Sequence, residues 1–117
     1  MEIEKQYRGA VAEITEKYPE TAKEFLNQQE LEFDLFCRKQ QDYGPSNIAM
    51  GTSLTTEKDI HMASIGVAVR LNDKVQRLVN LVMNNRTPNN ESIEDTLIDI
   101  SNYAKIMSIL RENKWGK

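Results

Sequence analysis

The chain has 117 residues, 39% of them hydrophobic and 28% charged, which fits one small domain over residues 1–117. The formal net charge of −3 argues against a protein that binds duplex nucleic acid, because such proteins normally carry a basic surface. A single cysteine and a single histidine exclude an internal disulfide and leave too few ligands for a zinc site. No segment resembles a signal peptide or a membrane-spanning helix, so we expect a cytoplasmic protein that does not enter membranes.

Helical periodicity runs through most of the chain, and strand patterns are almost absent. The sequence predicts an all-α fold of four to five helices arranged like a bundle, with helices over about 2–17, 19–41, 57–84 and 91–112. Pro19 suits the first turn of the second helix, and the residue before it avoids helical geometry. A small chain buries a small share of its surface, so we expect it to form a homo-oligomer.

Three of the four predicted helices carry apolar residues that should contribute to the core. In the first helix these are Ile3, Tyr7, Ala10, Val11 and Ile14. In the second they are Phe25, Leu26, Leu31, Phe33, Leu35 and Phe36. In the last they are Ile93, Leu97, Ile100, Ala104 and Met107.

Three local features stand out: one lies between helices, one lies within the third helix and one lies after the last helix. The segment 42–53 is a predicted functional loop, in which Gly44 suits the left-handed position that ends a helix. Gly66 lies within an apolar part of the third helix, which indicates a close helix contact, a kink or the close approach of a ligand, and close packing is favoured among these. The tail from residue 113 should fray unless Trp115 packs on a partner.

Two polar stripes occur at helical spacing, where residues three and four apart share a face. The stripe of the third helix is Arg70, Asp73, Lys74 and Arg77. The stripe of the last helix is Asp95, Asp99 and Asn102. The two could meet across a helix interface, either as structural salt bridges or as a binding site for phosphate.

The cations favour the phosphate interpretation, because three of them on one face repel each other unless an anion neutralises them. Arg70, Lys74 and Arg77 would hold phosphate, and Lys39 is a possible addition. The remaining candidates would contact the base or the ribose, or shape the turn around them; these are Asp42, Tyr43, Asn47 and Asn102. The alternative for Tyr43 is an aromatic ring at the edge of the core.

Asp95 and Asp99 also stand four residues apart, a spacing that lets two carboxylates share a magnesium ion. Asp73 is the third candidate ligand, although many such acidic pairs are simply solvated surface. A metal site is expected only if the chain is an enzyme.

A resemblance to a known family enters at these residues. Lys39-x-x-Asp42-Tyr43-Gly44, Gly66-x-x-x-Arg70-x-x-Asp73-Lys74-x-x-Arg77-Leu78 and Glu94-Asp95-Thr96-Leu97-x-Asp99-x-x-Asn102-Tyr103 together resemble the nucleotide-modification-associated domain 1 family of phage and prophage proteins. The match covers about residues 30–110. It implies a role connected with phage nucleotides.

The helical layout also looks like the MazG-type nucleotide pyrophosphohydrolases, which bind magnesium through Glu-x-x-Glu and Glu-x-x-Asp pairs. This chain departs from that pattern, because Lys74 and Arg77 follow Asp73 where acids are expected, and Thr96 replaces a glutamate. Such a departure favours binding without turnover, because a hydrolase uses its metal to activate water.

We therefore expect a nucleotide-binding protein that binds, and can sequester, a phosphate-bearing nucleotide, including a cyclic or signalling nucleotide, in the host cytoplasm of a phage-infected cell. The first alternative is a magnesium-dependent MazG-like pyrophosphohydrolase. The second is a structural helical oligomer.

Overall fold

The computed structural model describes the backbone of residues 2–117 and the side chains of residues 9–117, and this described part is helical without strands. Its helices are α1 (Glu2–Lys17), α2 (Pro19–Tyr43), α3 (Ser46–Ala49), α4 (Glu57–Met83) and α5 (Ile93–Arg111). The all-α prediction is confirmed, and the four predicted helices begin and end within about two residues of those observed.

The chain divides into two compact units, Met1–Asp34 and Leu35–Lys117. The first unit contains α1 and the first part of α2. The second contains the end of α2 and the three later helices, with a hydrophobic core built around α4 and α5. The buried members of this core are Ile48, Ala49, Leu54, Ala63, Val67, Ile106, Leu110 and Trp115.

Local caps explain where the two long helices of the second unit begin. Thr56 caps α4 by accepting a hydrogen bond from the backbone N–H of Asp59 at 3.1 Å. Ser92 caps α5 in the same way through the N–H of Asp95 at 3.0 Å. Each cap satisfies a backbone donor that has no partner within the helix. The two helices then pack on each other along their lengths.

The connection between α2 and α4 contains a short helix and is not an irregular loop throughout. Gly44 ends α2 with φ +68°, the left-handed conformation expected of it. One turn of helix, α3, follows because Ile48 and Ala49 are buried in the core and anchor it. Met50 then lies against Gly66, where a Cβ atom would approach the Met50 sulfur to 3.3 Å. The close packing predicted at Gly66 is therefore confirmed, although the neighbour is a side chain that follows α3 and not a second long helix.

The C-terminal tail packs on its own chain, so the expectation that it frays or docks on a partner is wrong. Trp115 is 7% exposed, and its ring meets that of Phe36 edge to face at 5.9 Å. Its indole N–H donates to the Pro45 carbonyl at 3.0 Å. A ring that buries its apolar surface and satisfies its N–H stabilises the tail.

The first unit presents its apolar residues to the surface. Val11, Ile14, Phe25 and Leu26 are exposed and line an open apolar groove. Further along α2, Leu31 and Phe33 are also exposed, and α2 has no fully buried residue. The expectation that these residues form a core is wrong for this unit. The side chains of Ile3 and Tyr7 lie outside the described residues.

Candidate functional site

A cavity of about 450 Å³ opens in the Leu35–Lys117 unit. The end of α2, the short helix α3, α4, α5 and the segment before α5 all contribute to its wall. Three kinds of polar side chain line it, namely cations (Lys39, Arg70, Lys74), carboxylates (Glu91, Asp99) and amides (Gln40, Asn47, Asn102). The remaining wall is apolar or aromatic and consists of Phe36, Tyr43, Ile48, Tyr103 and Ile106.

Lys74 joins the two carboxylates at the wall of the cavity. Its ammonium group lies 2.9 Å from both carboxylate oxygens of Glu91 and 2.9 Å from Oδ2 of Asp99. Lys39 reaches the other oxygen of Asp99 at 2.8 Å. Two lysines from α2 and α4 therefore compensate two carboxylates, one of them on α5. Asp99 is only 7% exposed, and a carboxylate at that depth requires such compensation.

Arg77 supports this cluster from behind the cavity wall. It donates to the Thr96 hydroxyl at 2.5 Å and to the backbone carbonyl of Glu91, and it lies 3.7 Å from the Glu91 carboxylate. Thr96 is fully buried and stands 2.8 Å from Oε2 of Glu91. Arg77 and Thr96 thus fix Glu91, which in turn fixes Lys74.

The environment keeps the buried pair ionised. Burial would raise the pKa of Asp99, but the hydrogen bonds and positive charges of Lys39 and Lys74 outweigh it, so that pKa is lowered from its ordinary value. Burial would likewise lower the pKa of Lys74, but hydrogen bonds to Glu91 and Asp99 outweigh it, so that pKa is raised. Both groups carry their charges at neutral pH.

Arg70 differs from Lys39 and Lys74 in its partner, which is a backbone carbonyl and not a carboxylate. Its guanidinium donates to the backbone carbonyl of Asn47 at 3.2 Å, which ties α4 to α3. In the part of the chain that the structure describes, no carboxylate pairs with it. Tyr43 belongs to the same lining and is 65% exposed, so its side chain is accessible from the solvent.

The face that α5 buries is partly polar. Its buried residues are Thr96, Asp99, Asn102, Ile106 and Leu110. Leu97 and Ala104, which periodicity placed in the core, are instead exposed, so the predicted apolar face is wrong for these two. Hydrogen bonds from α2 and α4 make it possible to bury Thr96 and Asp99, whose polar groups would otherwise be costly to desolvate.

Most of the ligand-binding residues predicted from the sequence converge on this cavity. Those that line it are Lys39, Tyr43, Asn47, Arg70, Lys74 and Asn102. Asp42 is exposed and is not part of the lining, and Arg77 lies outside the lining, where it contacts Thr96 and Glu91.

The three metal candidates do not form a cluster. Asp73 and Asp95 are exposed, whereas Asp99 is buried between two lysines. Among the described residues no group of three or more His, Cys, Asp or Glu side chains is placed to hold a metal ion. The geometry therefore offers no magnesium site built from Asp73, Asp95 and Asp99.

Glu91 is the main residue of the site that sequence reasoning missed. It precedes the N-cap of α5 in the structure, although the predicted helix over 91–112 includes it. A signal was available, because Glu91 stands four residues before Asp95 and eight before Asp99 and so extends the acidic stripe, and because the excess of cations on α4 required a further acid. Gln40 was missed as well, because a glutamine on a helix surface has no distinguishing pattern.

Comparison with known proteins assigns the chain to a family. The family whose sequence model is described as nucleotide modification associated domain 1 matches residues 39–111, which is more than half of the chain. The chain therefore belongs to this family. The matched segment contains every residue that lines the cavity except Phe36.

No curated protein and no solved structure matches the chain significantly. Within the described residues, no helix combines the length and the apolar character needed to cross a membrane.

Proposed function

We propose that this chain binds a phosphate-bearing nucleotide in the cavity of the Leu35–Lys117 unit and releases it chemically unchanged. The observation that carries the proposal is Arg70, an arginine without a carboxylate partner among the described residues that lines the same cavity as the exposed ring of Tyr43. A phosphate needs charged donors, and a base needs an aromatic surface on which to stack.

The donors left over after internal pairing support a phosphate site. The Arg70 guanidinium uses one of its five N–H groups on Asn47, and the rest are available. Lys39 has a side chain that is 44% exposed, and its hydrogen bond to Asp99 leaves ammonium donors for a ligand. The Lys74 ammonium group, by contrast, already contacts the carboxylates of Glu91 and Asp99 with its donors. Its role in the proposal is therefore to hold the carboxylates.

The aromatic and amide residues would recognise the nucleoside. Tyr43 and Tyr103 offer ring surface, while Asn47 and Gln40 offer both donors and acceptors to base edges and ribose hydroxyls, and the buried Asn102 lies in the same wall. Association with nucleotide modification, which is the description of the family, agrees with a nucleotide as the ligand.

The state of the two carboxylates supports binding without a metal. Glu91 and Asp99 are the acids of the lining, and lysine ammonium groups already occupy their oxygens. A magnesium ion would have to displace these cations and would be repelled by them. The MazG-like hydrolase is therefore the weaker candidate. Binding without turnover would allow the chain to sequester its nucleotide, and we propose the cytoplasm of a phage-infected cell as the setting.

Incubation with nucleotides, followed by removal of free ligand, heat release and chromatography, tests this function. The purified protein is incubated with the mono-, di- and triphosphates of each common base and with cyclic nucleotides, in magnesium and in chelator. We expect an intact nucleotide in the released fraction under both conditions. Conversion of a nucleotide to monophosphate and pyrophosphate in the incubation mixture, seen only with magnesium, would replace our proposal with the hydrolase. If no nucleotide is recovered, the charged residues of the cavity serve as structural salt bridges and the proposed function is wrong.

A further inference from the structure

We infer that the site takes a nucleotide with a single phosphate group, either a monoester or a phosphodiester, in preference to a di- or triphosphate. This inference rests on the proposed function and specifies its ligand. It follows from the charges and the hydrogen-bond donors that line the cavity.

The charge of the site is small. Lys39, Arg70 and Lys74 face Glu91 and Asp99 in the lining, so three cations against two carboxylates leave one positive charge. Arg77, which pairs with Glu91 from behind the wall, adds one more. A phosphodiester carries a single negative charge, and a phosphomonoester carries about −1.5 to −2 at neutral pH. Either charge is balanced by the site, whereas each added phosphate group brings charge that no residue of the lining offsets.

The number of unused hydrogen-bond donors on the cations of the cavity also favours a ligand with a single phosphate group. The cations with unused donors are Arg70 and Lys39, because Lys74 is saturated by two carboxylates. One guanidinium and one ammonium group can coordinate the oxygens of one phosphate. A second or third phosphate group would find no further cation with unused donors in the lining.

The test is calorimetric titration of the full chain in chelator and low salt. The probes are the adenine, guanine, cytosine and uracil nucleosides, their monophosphates and triphosphates, and 3′,5′-cyclic adenosine and guanosine monophosphate. For the base that binds, we expect the monophosphate or the cyclic nucleotide to bind at least about tenfold more tightly than the triphosphate, since repulsion by one unscreened charge is of that order. The relative affinity of monophosphate and cyclic nucleotide distinguishes a monoester from a diester.

A pair of charge variants makes the test specific to this cavity. Gln40 lines the cavity and lies on α2, outside the ion-pair network. Gln40→Lys should reduce the preference for the monophosphate several-fold, and Gln40→Glu should increase it. Gln28→Lys, in the first unit and outside this lining, serves as the matched control and should leave the ratio unchanged.

The possible outcomes separate this inference from the proposed function. A triphosphate that binds as tightly as the monophosphate in chelator would overturn the single-phosphate inference while the binding function stands. So would a ratio of affinities that is the same in both Gln40 variants and the parent. If no probe binds, the proposed function fails and the inference fails with it.

Discussion

At the scale of single residues, Asp99 shows how the site and the fold depend on each other. Its carboxylate accepts one hydrogen bond from α2 and one from α4, so it links three helices through Lys39 and Lys74. A metal ion at Asp99 would have to displace these two ammonium groups. Spacing alone grouped Asp99 with Asp95, but these residues now have different environments, one buried and one exposed.

Asp99→Asn should therefore destabilise the protein, whereas Asp95→Asn should not. The neutral amide leaves Lys39 and Lys74 without a counter-charge, and we expect the free energy of unfolding to fall by about 1.5–3 kcal/mol. Exposure of Lys39 keeps this loss below the ~3–5 kcal/mol of a fully buried pair. Asp95→Asn, the matched control on the same helix, should stay within about 0.5 kcal/mol of the parent. Chemical denaturation measures both variants.

The pH dependence of this difference identifies the ion pair as its cause. Because the pKa of folded Asp99 is lowered from 3.8, the parent's advantage over Asp99→Asn should be complete above pH 3.8. It should shrink as pH falls through the folded pKa. The raised pKa of Lys74 adds an alkaline limit, since its contribution is present below 10.5 and is lost as pH rises through its folded value. An advantage that persists unchanged in strong acid would contradict the ion-pair explanation.

At the scale of elements, the helix boundaries could be predicted from the sequence because their signals are local. Pro19 and Gly44 fix the two ends of α2. The cap of α5 at Ser92 depends on a hydrogen bond within the same turn. The one-turn helix α3 could not be predicted, because its stability comes from burying Ile48 in a core formed by distant residues.

The buried face of α5 was harder to predict than its ends. Apolar residues occur on several sides of this helix, so periodicity does not single out one face. Partners from other helices decide that Thr96 and Asp99 are buried. The meeting of the α4 and α5 stripes was nevertheless predictable, because opposite charges at matching helical spacing attract each other across an interface.

At the scale of the whole molecule, each unit carries exposed apolar side chains that a monomer would leave in water. On α4, Met62, Ile65 and Val69 lie on one exposed face. Trp115, which the sequence had offered as a contact for a partner, is buried in its own chain instead. Exposed apolar faces of this kind are common in proteins that associate.

We therefore expect the chain to be a homo-oligomer at micromolar concentration, as measured by light scattering after size exclusion. Ile65→Lys should shift the population towards the monomer, because a charge would have to be buried in the interface. Val82→Lys is the matched control, since Val82 is exposed on a different side of α4. A parent protein that is monomeric, or an equal effect of both variants, would contradict this assignment.

We propose above that the cavity of the Leu35–Lys117 unit binds nucleotide phosphate, and Arg70 is the residue on which this binding most depends. The most direct test of this proposal is calorimetric titration, in chelator, of the nucleotide recovered by heat release into the parent, Arg70→Ala and Arg86→Ala. Arg86 is exposed and does not line the cavity, so it controls for the loss of one positive charge. Our account predicts that Arg70→Ala weakens binding by about 1.5–3 kcal/mol, the range for hydrogen bonds to charged groups, while Arg86→Ala binds like the parent. Equal affinities of Arg70→Ala and the parent, with both folded, would contradict it.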